Sequence, residues 1–193
     1  MSLLDADALP TPYDIWALWS RATVDTRSPF RTPTIATVGL DGTPEARTVV
    51  LRDAQQAERR LVLHSDSRAG KVRALRRHPT LAWHFWNPRH RLQVRASGPA
   101  RLHRIGPVVD TAWAALSVHQ QRTYAASPAP GTPLEAPGDG LPDLELAASG
   151  RDHFCVIEGI IQRIDILQLR RGGHRRCVLQ WVGSEWTTRW VVP

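Results

Sequence analysis

The chain has 193 residues, of which 42% are apolar and 22% charged. That is enough for one domain with a full core or two small ones, and it excludes a disordered or fibrous chain. Basic residues outnumber acidic ones 25 to 18, a net charge of +7 that favours anionic partners such as phosphorylated ligands or nucleic acid.

In chain order, PYDIWALWSRATV (12–24) puts Ile15, Trp16, Leu18 and Trp19 on one side at helical spacing. A strand is predicted at 32–38, a tight hairpin turn at Asp41-Gly42, a return strand at 45–53 and a third strand at 60–64. A basic helix follows at 68–78 and ends at Pro79. Further strands are predicted at 80–86 and about 91–103, the second bent or bulged at Gly98-Pro99. Helical spacing returns over 107–126, and 127–150 is too rich in Pro and Gly for any regular element, so it reads as an exposed loop. Strands resume at 153–164, with 165–169 a connecting piece, and close the chain at 174–182 and 186–192. Consecutive antiparallel strands with a few helices inserted are best satisfied by a mainly β fold, a small barrel with helices packed outside, because closure removes exposed strand edges.

No apolar run approaches the roughly 20 residues of a membrane helix, so no membrane span is expected. The opening MSLLDADALP lacks the basic-then-apolar pattern of a secretory leader. Cys155 and Cys177 are too few for a disulfide framework or a zinc cage, which makes the cytoplasm the expected location. Both lie in apolar strands and read as inert core thiols. Among the 25 basic residues only Lys71 is a lysine.

Four segments could carry chemistry. In RTVVLR (47–52), Arg47, Val49 and Leu51 alternate with Thr48, Val50 and Arg52, so an apolar strand could lie beside a flat ring while its arginines reach a phosphate. The plain alternative is an ordinary sheet strand. HSDSRAGK (64–71) runs from a strand end into a helix start, where free N–H groups with Ser65, Ser67, Arg68 and Lys71 would suit a phosphate; otherwise Asp66 or Ser67 simply caps the helix. Gln93, between apolar neighbours, could donate to a heterocycle or be a half-exposed strand residue. His174 and Arg176 share a strand face and could bind an anion or approach a reacting carbon, or be a solvated strand end.

In order and spacing these segments resemble the pyridoxamine 5′-phosphate oxidase-like family of FMN-binding split barrels. RTVVLR is similar to that family's Arg-x-Val-Leu-Leu-Lys strand, and HSDSRAGK to its Tyr-Thr-Asn-x-x-Ser-Arg-Lys segment with Lys71 on the lysine. LQVRASGPARL is similar to its Gln-Val-x-x-x-Gly-x-Ala strand, and HRR (174–176) to its His-Asp-Arg. The resemblance implies a single antiparallel split-barrel domain over 1–193 with FMN at a homodimer interface. It implies that Arg47, Lys71 and Arg52 or Arg176 hold the phosphate and ring, and that Val49, Val50 and Leu51 line the ring through their backbone. His64 opens the phosphate segment, Ser65 donates within it, and Arg68 compensates for Gly70, which stands where the family has an arginine. Gln93 would meet the ring edge and His174, the catalytic candidate, the substrate side. The family's substrate-phosphate stretch, Tyr-Phe-x-Ser-Arg-Pro, has no counterpart between 104 and 122.

The expected function is therefore an FMN-dependent oxidoreductase with hydride transfer between a small substrate and flavin N5, the substrate not strictly pyridoxamine phosphate. A non-catalytic FMN-binding protein is the alternative. A basic nucleic-acid-binding barrel is a third reading, disfavoured because helix 68–78 interleaves no aromatics with its arginines.

Overall fold

The computed structural model describes residues 9–193. Met1–Ala8, most of the stretch read for a leader, lie outside the described residues. Helix α1 (Pro12–Val24) begins with Pro at its first position, and Asp14 accepts hydrogen bonds from the backbone N and Oγ1 of Thr11 at 2.7 Å each. Its apolar stripe, Ile15, Trp16, Trp19 and Ala22, is buried.

Strands β1 (Thr34–Val38) and β2 (Pro44–Thr48) form the expected hairpin, with Gly42 at φ 84° in the turn. The ladder stops at Thr48, earlier than the predicted end at 53. Val49 and Leu51 donate backwards to the carbonyls of Pro33 and Arg31, and Arg52 then donates to Val62. This stretch carries the chain from the edge of β1 to the edge of another strand, which a single straight strand could not do. β3 (Asp53–Gln55), β4 (Arg60–Asp66), helix α2 (Gly70–Arg77), β5 (Thr80–Asn87) and the long β6 (Leu92–His103) follow.

The region predicted as one helix over 107–126 is two, α3 (Pro107–Ala114) and α4 (Val118–Arg122). Ser117 restarts the helix. Its Oγ accepts from the Gln120 backbone, and Gln120 Oε1 accepts from the Ser117 backbone, a reciprocal cap that competes with helix continuation. Part of the predicted loop, Leu144–Asp152, winds into 3-10 turns. β7 (Phe154–Ile160), β8 (Arg163–Gln168), β9 (Arg175–Val182) and β10 (Glu185–Val191) complete the chain. The predicted connector at 165–169 is instead mostly strand, because Ile164 and Ile166 alternate into the core.

Every pairing is antiparallel. One edge of β6 pairs with β5; the other is divided, its first half on β8 and its second on β7. The ring β1, β5, β6, β7, β4 closes through Val49–Arg52, while β8, β9 and β10 splay off as a second wing. The division falls at Gly98, where a Cβ would sit 1.9 Å from the Ile160 carbonyl oxygen. The fold is thus a mainly antiparallel split barrel with flanking helices. One register row, Ile35, Trp83, Ala96, Ile164 and Leu179, runs through β1, β5, β6, β8 and β9 and is buried throughout. A smaller cluster (Val62, Val109, Phe154, Val156) joins the outer face of β4 and β7 to α3 and α4. Among the described residues no helix is long and apolar enough to cross a membrane. Cys155 and Cys177 are buried free thiols, and burial pushes them up to about 11 and about 12.

Candidate functional site

Strand β4 has two faces. Leu61, Leu63 and Ser65 point into the barrel; Arg60, Val62 and His64 point toward α3. On the inner side Lys71, in the first turn of α2, donates from Nζ to Ser65 Oγ at 3.2 Å. Arg47 lies on the same side, opposite Ile35. It donates to Thr37 Oγ1 at 2.7 Å and is paired with Glu45. Burial lowers the pKa of Lys71, and the charge of Arg47 lowers it further. The N-cap of α2 is Ala69, with no side-chain cap and no acidic residue in the first turn, so neither Asp66 nor Ser67 caps it. An uncapped helix start, an ammonium, a hydroxyl and a neighbouring guanidinium form a donor set that suits a phosphate. The residues present therefore fit the phosphate end of FMN.

On the outer side of β4 lies a cavity of about 690 Å³. Val62, His64 and Val156 form its sheet wall, and Val108, Ala112 and Leu116 its helix wall. The His64 ring stands edge-on to Phe154 at 4.9 Å, and its buried Nδ1 has no partner among the described residues. Burial, reinforced by Arg52, lowers His64 to about 4, so it is neutral at pH 7. At the polar end, Arg60 pairs with Glu158 at 3.0 Å, and the other oxygen of Glu158 meets His103 Nε2 at 2.8 Å. Arg31 donates to the carbonyls of Ala22 and Thr23 at the end of α1. Arg52 also lines this cavity and, among the described residues, makes no ion pair.

The remaining predicted residues are not gathered with these. Gln93 is opposite Leu167, which is opposite Arg176, so Gln93 and Arg176 share one face of the sheet. Arg47 belongs to the row of Ile35, Trp83 and Ala96, which faces the other way. Gln93 Oε1 lies 3.3 Å from His84 Nε2. Arg176 grips Asp165 with two bonds of 2.9 Å, and Arg95 adds a third at 2.6 Å. Arg68, expected near the phosphate, pairs with Asp66 and donates to the carbonyls of Ala126 and Ser127, which ties down the start of the long loop. His174 is exposed in the turn before β9, with Nδ1 accepting from the Arg170 backbone at 3.1 Å. Of the predicted ring-lining stretch, Leu51 is fully buried and Val49 packs on the core. Sequence reasoning missed Asp165 and Glu158. Each is the only acid in its strand, RIDILQ and FCVIEGI, with an apolar residue on its N-terminal side, and that isolation was the available signal.

Residues 16–104, which carry Arg47, Ser65, Lys71 and Gln93, match the family model described as pyridoxamine 5′-phosphate oxidase, FMN-binding domain. Over that stretch the chain is similar to the pyridoxamine 5′-phosphate oxidase-like family. FMN is the cofactor of the matched domain. A pyridoxine/pyridoxamine 5′-phosphate oxidase of Thermosynechococcus vestitus is 38% identical over 97 residues, 50% of this chain and 45% of the relative. An Arabidopsis thaliana oxidase of the same name is 25% identical over 148 residues, covering 70% of this chain and 72% of the relative. The chain thus spans about half the length of the first curated relatives it matches. Among solved structures, a family-related FMN-binding protein of Nostoc punctiforme has a TM-score of 0.73 at 22% identity, covering 97% of this chain and 99% of that one. PhzG of Burkholderia lata, solved with tetrahydrophenazine-1-carboxylic acid, has a TM-score of 0.77 at 18% identity and covers both chains fully. Both share the split-barrel fold.

Proposed function

We propose that this chain is a single-domain, cytoplasmic, FMN-dependent oxidoreductase working as a homodimer. The observation that carries the reading is the cluster of Lys71, Ser65 and Arg47 at the uncapped start of α2, on the barrel side opposite a ligand-sized cavity. When bound, FMN supplies hydride transfer with a small substrate at its N5. Lys71, Ser65 and the α2 N–H groups hold its phosphate, Arg47 adds charge, and Val49–Leu51 present backbone to the ring. Arg52 and His64 belong to the substrate side, where a neutral imidazole and an uncommitted guanidinium orient the ligand. Gln93 and Arg176 face away from Arg47, so they serve a flavin held mainly by a second copy. The two unpaired thiols support a reducing compartment.

The test is Lys71→Ala combined with Arg47→Ala. Each substitution removes a charge-assisted bond worth about 1.5–3 kcal/mol, so FMN affinity falls by two to four orders of magnitude, estimated roughly. The double variant should purify colourless with an unchanged far-UV spectrum; a yellow one sinks the assignment. The placement of His174 in an exposed turn favours a second reading, FMN binding without turnover. Consumption of reduced nicotinamide by the loaded protein separates the two.

A further inference from the structure

We propose that the cavity between β4, β7 and α3 selects a flat, mainly apolar molecule bearing a single carboxylate, and that Arg52 is the residue that sets this preference. The inference deepens the reading above, since it names the class of substrate such an enzyme takes. Three guanidiniums reach the polar end of the cavity, Arg31, Arg52 and Arg60, against two carboxylates, Asp53 and Glu158. Arg60 is committed to Glu158, Glu58 and Asp53, at 3.0, 2.9 and 3.8 Å. Arg31 is committed to the carbonyls at the end of α1. With His64 neutral, Arg52 is the guanidinium of the three that, among the described residues, has neither a carboxylate nor a carbonyl partner.

The opposite wall comes from α3 and the turn into α4 and offers Val108, Ala112, Ala115 and Leu116, with the Thr111 hydroxyl and the Gln120 amide for polar contact. A phosphate ester carries close to two charges and three exposed oxygens, and a single guanidinium facing aliphatic side chains leaves most of them unsatisfied. A carboxylate carries one charge and two oxygens, which match one guanidinium fork. The remaining volume, within the range of small-molecule pockets and walled by Val62, Val156 and α3, suits an apolar ring system.

The test is calorimetric titration of the purified chain, with and without FMN, by 2-naphthoate, 2-naphthalenemethanol and pyridoxamine 5′-phosphate. The naphthoate should bind about tenfold or more tightly than either of the others. Arg52→Gln should erase its advantage over the neutral alcohol, Arg52→Lys should keep part of it, and Ala112→Trp should weaken both by filling the cavity. Stronger binding of the phosphate ester, no binding of the naphthoate, or an Arg52→Gln protein that is folded and still prefers the carboxylate overturns the proposal. An absorbance titration with FMN on the same samples isolates the flavin reading. If FMN fails to bind while the carboxylate preference holds, the cavity assignment stands without the flavin; if FMN binds and the preference is absent, the cavity assignment alone falls.

Discussion

His64 shows how one side chain reports its surroundings. Its ring is held against Phe154, and its pKa is lowered to about 4 from an ordinary 6.5, by burial first and Arg52 second. The folded state therefore binds fewer protons than the unfolded chain between those values. Its contribution to stability is complete above pH 6.5 and is lost as pH falls toward 4, by at most about 3 kcal/mol. His64→Phe should flatten that part of the stability-versus-pH curve in urea titrations; an unchanged slope would mean another group is responsible. Asp165 behaves differently. Burial raises its pKa, but the hydrogen bonds of Arg176 and Arg95 outweigh this and the net shift is downward. Its stabilisation is present above the ordinary carboxylate range and is lost as pH falls through the depressed value. Asp165→Asn leaves the guanidiniums of Arg95, Arg163 and Arg176 without their counter-charge. Discounted for the partial exposure of these arginines, the cost is about 2 kcal/mol. Denaturant midpoints would measure it.

The decisive element is β6, which serves three neighbours because one of its edges changes partner at Gly98. A methyl group there collides with the Ile160 backbone, which cannot step aside without breaking the split between β7 and β8. Gly98→Ala should cost about 3 kcal/mol or more. Gly172→Ala, in a turn where a Cβ meets nothing, should leave the melting temperature within the error of the measurement. If both substitutions behave alike, close approach is not what Gly98 provides. The dipeptide Gly98-Pro99 marked the point where β6 changes partner, and α1 was legible in the spacing of its tryptophans. The break between α3 and α4 was less so, because Ser117 and Gln120 look like ordinary helix-surface residues until their reciprocal hydrogen bonds are seen.

For the whole molecule, the faces of the sheet divide the proposed site residues into two groups. Arg47 and Lys71 serve the barrel side; Gln93 and Arg176 serve the opposite face. If a second copy completes each flavin site, light scattering should give twice the mass of one chain. Complementation is the sharper measurement. Chains carrying Arg47→Ala and Lys71→Ala, refolded with chains carrying Gln93→Ala and Arg176→Gln, should form mixed dimers with one intact and one doubly damaged site. About half the FMN capacity should return in those dimers. No recovery on mixing would place all four residues at a site within one chain.

By itself the sequence determined most of the strands and helices, the antiparallel barrel and the segments that carry the FMN-binding domain, because alternation, turn residues and motif order are local properties written along the chain. Only the tertiary structure decided where the charges go. Arg68 and Arg176 look like phosphate ligands in one dimension. In three, Arg68 is held by Asp66 and by the Ala126–Ser127 carbonyls, the first of these carbonyls 58 residues away, and Arg176 by Asp165, 11 residues away. Arg52, no more conspicuous in the sequence, is left without an acidic partner. Which cation remains free to meet a ligand depends on long-range pairing, and no local pattern encodes it.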